Sequence, residues 1–593
     1  MLTRRYLGLW TATAALLMLA FGLCWRRGPY LDDYALRDLA CDVVTGQRYP
    51  IWSRHRIDTF PIRTLNWAVA GAFAANLPEH EAAVRAAGVL LVILNAGLLA
   101  GLVHRVLRSR LAALTAGWLY LAPFPGHEAL LWAGAAGYLV AVCLALVSMH
   151  CCMSALRPGR RRWLPAVLGL AAVVVSFFVN EQAVVMAGTL PLFVACAHLA
   201  GPPADPGANV HAPRRWRRLA LSSAALMAMM IVLVGAVAFW CYGRETYVVH
   251  GRGGFTKTPA AVVDRCGEFL RALYLWTISP TGREMTREAL RAGRYLQKTP
   301  GPGLALLVAF IASVGWLAVC WRTRPSDYHA PASAGGLLAA AAVGGFLLVL
   351  LFPAVLVRGQ GLEHRMLYIP SAFAAMAAAA LVWLVGKALM RSGRTPPWEK
   401  AALVTLAVGA WLSATCTAGY ADAYARRSRL DAEQLAAAKR TLTRVELSRG
   451  VTLVPFGHDA LLGTRRQMLS AFFYGVFETP YTVYPELSRI LGHREFGVVV
   501  SDRTTGMCFA PTTTADGSQR LEVNGRPIPT ADTVLFTCRG GRALVVDELT
   551  VRRPDGGDTT FCFPLARRLA EAGAPFMSAA VDGNVPQFEL RPR

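Results

Sequence analysis

Four short clusters of ionisable and amide side chains stand out in a chain that is 54% hydrophobic and only 17% charged. They are Asp32 and Asp33 in PYLDDYALRD, His127 and Glu128 in FPGHEALLW, Asn180 and Glu181 in FFVNEQAV, and Glu363, His364 and Arg365 in GLEHRMLYIPS. Each cluster stands at the end of a long apolar run, where a charged group is costly unless water or a partner solvates it. Each cluster is therefore a candidate functional site.

The residue types in these clusters suggest acid–base and phosphate chemistry. Asp32 and Asp33 suit general-base work, because two adjacent negative charges make one carboxylate the stronger proton acceptor. Arg365, beside His364, can neutralise a phosphate group. Structural explanations stay open at this point, since Glu128 and Glu181 can cap helices and Arg365 can anchor its segment at the lipid headgroups.

Long apolar segments are the elements that must position these clusters. About twenty apolar residues cross a bilayer as a helix, because lipid offers backbone amides no partner outside their own segment. The sequence predicts eleven such spans, near residues 6–25, 84–104, 111–124, 129–153, 163–179, 183–200, 219–241, 303–321, 333–356, 366–388 and 400–418. A twelfth candidate, 60–77, contains Pro61, Arg63 and Asn66, which favour a helix lying on the membrane surface.

Basic residues fix the orientation of these spans. Lys and Arg concentrate in alternate loops, such as Arg160–Arg162 and Arg214–Arg218, which the positive-inside rule assigns to the cytoplasm. The turns at 123–128 and 180–182 contain neither, so they face outward together with all four clusters. This explains the formal charge of +24 without a nucleic-acid partner, for which no motif is present. The prediction is a helical transmembrane domain at 1–420, with outer loops at 26–83 and 242–302.

Residues 421–593 are predicted to form an extracytoplasmic α+β domain. Alternating apolar residues predict strands at 451–455, 496–500, 533–537 and 542–551, with turns at Asn524-Gly525 and Asp555-Gly556. A helix near 430–448 connects this domain to the last span. Cys508, Cys538 and Cys562 lie here, where an oxidising compartment would allow two of them to form a disulfide.

In this order and on one side of the membrane, the clusters resemble the membrane-embedded glycosyltransferases of the GT-C class. The likeness is greatest to the protein O-mannosyltransferase and TMTC-like branch. It covers residues 1 to about 420 and is carried by LDDY at 31–34, HEALLWAGAAGYL at 127–139, NEQAVV at 180–185 and EHRMLYIPS at 363–371. It implies a multi-pass inner-membrane enzyme that moves a sugar from a polyprenyl-phosphate donor to an extracytoplasmic lipid, glycan or protein acceptor, with inversion.

The resemblance also implies roles for individual residues. Asp32 matches the base or acceptor-orienting acid, with Asp33 beside it, and Arg365 matches the basic residue that contacts the donor phosphate. The remaining residues of the motifs are implied to bind substrate: His127, Glu128, Asn180, Glu181, Glu363, His364 and Tyr368. His364 separates Glu363 from Arg365, whereas the family often has the acid directly before the arginine. A divalent metal ion bridging the carboxylates can replace part of the arginine's role, and the sequence does not decide whether one is used.

Three other interpretations fit some of these features. A lipid-linked-glycan transporter would also place charges at helix ends, but transporters usually contain inverted repeats and acids near the bilayer midplane. A surface-polysaccharide ligase or polymerase would use a large basic outer loop, and 242–302 contains Arg244, Arg252, Lys257, Arg265, Arg271 and Arg283. A sensory protein would act through its tail, where His458 and Asp459 form no recognisable catalytic set.

Overall fold

Helices dominate the chain up to residue 423, and strands dominate the part that follows. The computed structural model of the protein describes residues 64–121, 129, 135–155, 163–189, 192–194, 196, 258–277, 330–356, 364–391, 425–456, 477, 480–500, 508–513, 519–552, 557–582 and 585–592, with isolated positions between 294 and 411. These residues belong to two compact units. We call the described residues of the first unit, between 64 and 411, the helical unit, and those of the second, 425–592, the C-terminal unit.

The described part of the helical unit consists mainly of long apolar helices. Its described helices are α1 (Thr64–Leu107), α2 (Arg110–Leu121), α3 (Ala136–Ala155), α4 (Trp163–Val179), α5 (Glu181–Gly188), α6 (Pro259–Thr277), α7 (Ala332–Leu356) and α8 (Tyr368–Arg391), and a 3-10 helix (His364–Leu367) precedes α8. The bounds of α4 agree with the predicted span 163–179, and α2 covers the first part of the predicted span 111–124.

Four stretches of these helices are long and apolar enough to cross a membrane: His80–Leu107, Ala136–Ala155, Ala332–Phe352 and Tyr368–Met390. They coincide with the predicted spans 84–104, 129–153, 333–356 and 366–388. Several of their large apolar side chains are exposed, such as Leu90 and Leu348, which suits contact with lipid. By length and composition the chain is a multi-pass membrane protein. The total of eleven spans stays a prediction, because 6–25, 219–241, 303–321 and 400–418 lie wholly or largely outside the described residues.

Helix α1 contains two helical segments that meet at a kink at His80, where the backbone leaves the helical region (φ −126°, ψ 38°). The apolar stretch His80–Leu107 is the predicted span 84–104, and the segment from Thr64 to the kink falls in the candidate surface helix 60–77. Pro78 explains the bend, since it has no backbone N–H to continue the helical ladder. The first part of α1 also packs closely on α3. The side chain of Asn66 lies against Gly137, where an added Cβ would be only 1.7 Å from Asn66 Oδ1.

The predicted span 183–200 is described only in part. Helix α5 ends at Gly188, and the backbone N–H of Thr189 donates to Met186 O at 3.1 Å. Residues 192–194 and 196 are helical, and the backbone N–H of Phe193 donates to Thr189 O at 3.3 Å. The remaining residues of this span lie outside the described residues, so the span stays a prediction.

The predicted outer loop 242–302 contains the 19-residue helix α6. Its apolar face packs on α7 and on the 3-10 helix, where Phe269, Leu350, Met366 and Leu367 form a buried cluster. The opposite face exposes charged residues, among them Asp264 and Glu268. The loop therefore includes an amphipathic helix that covers the His364–Leu367 turn.

The C-terminal unit is an α+β fold built on one mixed sheet. Helices cover residues 425–442 (α9), Pro480–Leu491 (α10) and Pro564–Glu571 (α11). The strands are β1 (Thr452–Pro455), β2 (Gly497–Val498), β3 (Phe509–Thr513), β4 (Gln519–Val523), β5 (Arg526–Ile528), β6 (Thr533–Arg539), β7 (Arg542–Arg552), β8 (Asp558–Cys562), β9 (Phe576–Asp582) and β10 (Val585–Pro592). The four predicted strands correspond to β1, β2, β6 and β7, and the predicted helix 430–448 corresponds to α9.

Strand order in the main sheet is β10-β9-β7-β6-β1-β2, and β8 pairs with the second half of β7. Strands β2, β1 and β6 are parallel, as are β7 and β9, whereas the β6–β7 and β9–β10 pairs are antiparallel. The helices pack on this sheet through buried apolar residues such as Leu442, Leu487 and Leu569. A buried ion pair stabilises α9, because Arg427 Nη2 lies 2.5 Å from Asp431 Oδ1.

A second, three-stranded sheet has the order β3-β4-β5 and contains the predicted Asn524-Gly525 turn. Both residues have positive φ, 52° and 70°, as a tight hairpin between β4 and β5 requires. Asn524 Oδ1 accepts from Cys508 N at 2.8 Å, and Asn524 Nδ2 donates to Val500 O at 2.9 Å. The Asp555-Gly556 turn lies outside the described residues.

The three cysteines of this unit, two of which an oxidising compartment would allow to pair, form no disulfide in the structure. Cys508, Cys538 and Cys562 are all free cysteines. Cys538 is buried, and its Sγ lies 3.6 Å from Gln434 O, whereas Cys562 is exposed at the end of β8. The compartment alone was an insufficient reason for the prediction, because a disulfide also needs two closely approaching Cβ atoms.

Candidate functional site

The structure describes half of the predicted site residues. Asp32, Asp33, His127, Glu128 and Glu363 lie outside the described residues. Glu181 is described as the first residue of α5, and His364 and Arg365 as part of the 3-10 helix, without their side chains. Asn180 and Tyr368 are described in full, so the site is built from these two residues and their neighbours.

Asn180 forms the N-cap of α5. Its backbone is extended (φ −158°, ψ 122°), and its Oδ1 accepts from the backbone N–H of Gln182 at 2.9 Å. The side chain is buried, with 4% exposed. An asparagine oxygen in this position satisfies one of the N–H groups that every helix start leaves without a partner. Asn180 therefore fixes the point at which α4 ends and α5 begins.

Gln182 connects this turn to α7. Its carboxamide is buried, with 3% of the residue exposed, and Nε2 donates to Val349 O at 3.4 Å. The next residue of α7, Leu350, packs against Met366 and Leu367 of the 3-10 helix. The NEQ turn and the HRML turn, which are far apart in sequence, thus meet the same part of α7.

Tyr368 begins α8 and is completely buried. Its hydroxyl accepts from Asn95 Nδ2 at 3.3 Å, and the same nitrogen donates to Leu139 O at 3.0 Å. The ring of Tyr368 lies 5.4 Å from that of Tyr120, tilted by 50°. One tyrosine therefore joins α8 to α1, α2 and, through Asn95, α3.

The sequence motif that contains His127 and Glu128 lies between two helices that contact Tyr368 or Asn95. His127 and Glu128 belong to the connection between α2 and α3. The helix before that connection contributes Tyr120, and the helix after it contributes Leu139. Two of the four sequence motifs are thus part of the helix ends around Tyr368 and Gln182, and His127 and Glu128 lie outside the described residues. The Asp32-Asp33 pair is not placed by the described residues.

Asn95, Tyr120 and Gln182 are polar residues of this region that the sequence prediction did not select as site residues. Asn95 has the clearest sequence signal, because a carboxamide within the apolar run 89–103 needs a hydrogen-bond partner. Among the described residues, no three His, Cys, Asp or Glu side chains are placed to hold a metal ion. The carboxylates predicted to bridge such an ion are outside that set.

Comparisons with known proteins give weak similarities. No family model matches the chain, and no curated protein matches it significantly. Two crystal structures of ArnT from Cupriavidus metallidurans are similar over 84% of this chain, each at 16% identity. One is the apo state (86% of that chain, TM-score 0.34), and the other is bound to undecaprenyl phosphate (87%, TM-score 0.33). At this identity and TM-score the likeness assigns neither a fold nor an activity to this protein.

Proposed function

We propose that the protein is a membrane glycosyltransferase of the GT-C class, which transfers a sugar from a polyprenyl-phosphate donor to an extracytoplasmic acceptor with inversion. The motifs at 31–34, 127–139, 180–185 and 363–371 support this assignment by their order. The structural observation that carries it is the junction at α7, where Gln182 bonds to Val349 and Leu350 packs on Leu367. A site shared by the motifs at 180–185 and 363–371 needs such a junction.

The proposed chemistry follows from the donor. A sugar linked to a lipid phosphate already has a good leaving group, so the protein must deprotonate the acceptor and stabilise phosphate charge. Asp32 accepts the proton of the acceptor hydroxyl while its oxygen attacks the anomeric carbon from the side opposite the phosphate. The bond from that carbon to the phosphate oxygen breaks, and Arg365 with His364 neutralises the departing lipid phosphate.

The other motif residues orient the two substrates in this proposal. Asp33, Glu128 and Glu181 hold acceptor or donor, and His127 and Glu363 complete the polar surface. Asn180 and Tyr368 act mainly as positioning residues, because the Asn180 oxygen caps α5 and Tyr368 is buried between helices. A divalent ion held by the Asp32-Asp33 pair is compatible with these roles.

Transfer of a radiolabelled sugar from a polyprenyl-phosphate donor, in membranes containing the protein, tests the proposal. Asp32→Asn removes the base without changing the size of the side chain, so transfer should fall by about a hundredfold or more. Asp264→Asn is the matched control, because Asp264 is an exposed acid of α6 in the same predicted outer region. Equal transfer by Asp32→Asn and the parent protein would reject the catalytic assignment.

The proposed orientation has a separate test in Cys562. This cysteine is free and exposed, so a membrane-impermeant maleimide should label it in intact spheroplasts if the C-terminal unit is extracytoplasmic. Cys562→Ser should remove that label and identifies it among the thirteen cysteines. Labelling that requires lysis would place the C-terminal unit in the cytoplasm and reverse the topology.

A further inference from the structure

Asn95 retains an unused hydrogen-bond acceptor in the interior of the helical unit. Its Nδ2 donates to Leu139 O, and a carbonyl oxygen can only accept, so this contact fixes which end of the carboxamide is nitrogen. Nδ2 also donates to the Tyr368 hydroxyl. Oδ1 is then left buried, with no donor among the described residues, in a side chain that is 0% exposed.

Gln182 repeats this arrangement on a different helix. Its Nε2 donates to Val349 O, which again fixes the orientation of the carboxamide. Its Oε1 is buried and meets no donor in the part of the chain that the structure describes. The carboxamides of Asn95 and Gln182 thus each donate from nitrogen to a backbone carbonyl, and neither oxygen accepts a hydrogen bond from the described residues.

A chain of contacts within the helical unit links Asn95 to Gln182. Asn95 bonds to Tyr368, whose neighbour Leu367 packs on Leu350, and Leu350 follows the residue that Gln182 contacts. Buried acceptors are nearly always paired in folded proteins, because an unpaired one loses its hydration without compensation. Two such acceptors on residues linked in this way call for hydrogen-bond donors, either water or a ligand.

We propose that Asn95 and Gln182 accept hydrogen bonds from the hydroxyl groups of the sugar on the lipid-linked donor. This inference rests on the proposed function. Neutral amide oxygens suit hydroxyl donors, and they do not suit an ionised phosphate, which has only acceptor oxygens. The two carboxamides therefore recognise the sugar, and the phosphate is left to the basic residues of the HRML turn.

The test compares two lipids on the full-length protein in nanodiscs. The probes are undecaprenyl phosphate and a set of undecaprenyl-phosphate sugars bearing mannose, glucose or arabinose, with affinity measured by ligand-dependent thermal shift. Asn95→Leu and Gln182→Leu keep the approximate side-chain volume and remove the acceptor. Each should weaken the preferred sugar-bearing lipid about three- to tenfold, the equivalent of one lost hydrogen bond, and leave the bare lipid phosphate unchanged.

Ser154→Ala is the control, because Ser154 is a hydrogen-bonded residue farther along α3 and should change neither affinity. Gln182→Leu decides the question if Asn95→Leu does not fold. Variants that bind both lipids like the parent would show that water satisfies the two oxygens, and variants that lose both lipids equally would show no role in sugar recognition. Either result overturns the inference alone. A parent protein that binds neither kind of lipid would reject the proposed function as well.

Discussion

Two neighbouring glycines of α7 allow a direct test of how closely this helix packs against α8. A Cβ built on Gly345 would lie 2.4 Å from Cε1 of Phe373, whereas a Cβ on Gly344 meets no atom within 4 Å. Phe373 is completely buried, so its ring cannot relieve this contact by turning into an exposed position. Small residues at such contacts let membrane helices approach one another closely.

The substitutions Gly345→Ala and Gly344→Ala, taken together, isolate the effect of this close packing on stability. Both replace glycine with alanine at adjacent positions of one helix, so both gain the same helix propensity, up to about 1 kcal/mol. That gain cancels when the two variants are compared. The remaining difference is the overpacking against Phe373, about 1–3 kcal/mol in favour of Gly344→Ala.

The measurement is the temperature at which half of the detergent-solubilised protein aggregates, at one heating rate. Only differences between variants are compared, because unfolding of large membrane proteins is usually irreversible. Gly345→Ala should aggregate several degrees below Gly344→Ala, and the latter should equal or slightly exceed the parent. Gly335 and Gly336 repeat the comparison, since only a Cβ on Gly335 would meet a neighbour, at 2.5 Å from Trp383. Equal midpoints within both pairs would refute the close approach of α7 and α8.

Three further predictions concern the C-terminal unit. Asp431→Asn removes one partner of the buried pair with Arg427, so the free energy of unfolding of this unit in the full-length chain should fall by about 3–5 kcal/mol, and trypsin should cleave the unit faster. The double variant Arg427→Met with Asp431→Leu should lose less stability, because no buried charge remains. Asn524→Ala removes two hydrogen bonds at a positive φ and should cost about 1–3 kcal/mol in the same assay, more than Asn524→Gly, which keeps the backbone freedom. Burial raises the pKa of Tyr484 in the folded protein, and Arg494 lowers that pKa by less. The contribution of Tyr484 to stability should therefore be complete below about pH 10, the ordinary tyrosine pKa, and it should disappear as the pH rises through the higher pKa of the folded state. Tyr484→Phe should remove that step from an ultraviolet titration.

The apolar spans could be predicted because their composition leaves few alternatives. A run such as 333–356 has too little polar surface to be exposed to water, so a membrane helix is the structure that satisfies its backbone. The bounds of α4 and α7 agree with the prediction to within a residue. The end of α5 at Gly188 was not predicted. Hydropathy averages over a whole window, whereas the end of a helix depends on the hydrogen bonds of a few residues.

Helix α6 was missed for a different reason. Its buried face is formed by Phe269 with Cys266 and Leu273, which follow the spacing of one side of a helix. That pattern is present in the printed sequence, but the charges between these residues made the segment look like a polar loop. What makes it a helix is the apolar surface offered by Leu350 and Met366, and no local pattern shows that surface.

The candidate site could be predicted only as a set of motifs. Sequence reasoning selected Asn180 and Tyr368 because they belong to the motifs NEQAVV and EHRMLYIPS that carry the resemblance to the GT-C class. Their contacts are tertiary, since Tyr368 bonds to a residue 273 positions away. Asn95 could have been selected as a polar residue within an apolar run, but its partners could not be deduced from its neighbours in sequence.

Two polar groups on the same pair of helices, α1 and α3, differ in whether the described residues satisfy their hydrogen bonds. Farther along the pair, Arg105 Nη1 donates to His150 O and to Ser154 Oγ, both at 3.0 Å, and His150 Nε2 lies 2.7 Å from Leu98 O. Those donors have acceptors within the protein, so this group is explained by helix packing alone. Asn95 lies on the same helix as Arg105, yet its oxygen has no donor among the described residues. Helix packing therefore accounts for the first group completely and for the second only in part, and a hydrogen-bond donor must complete it.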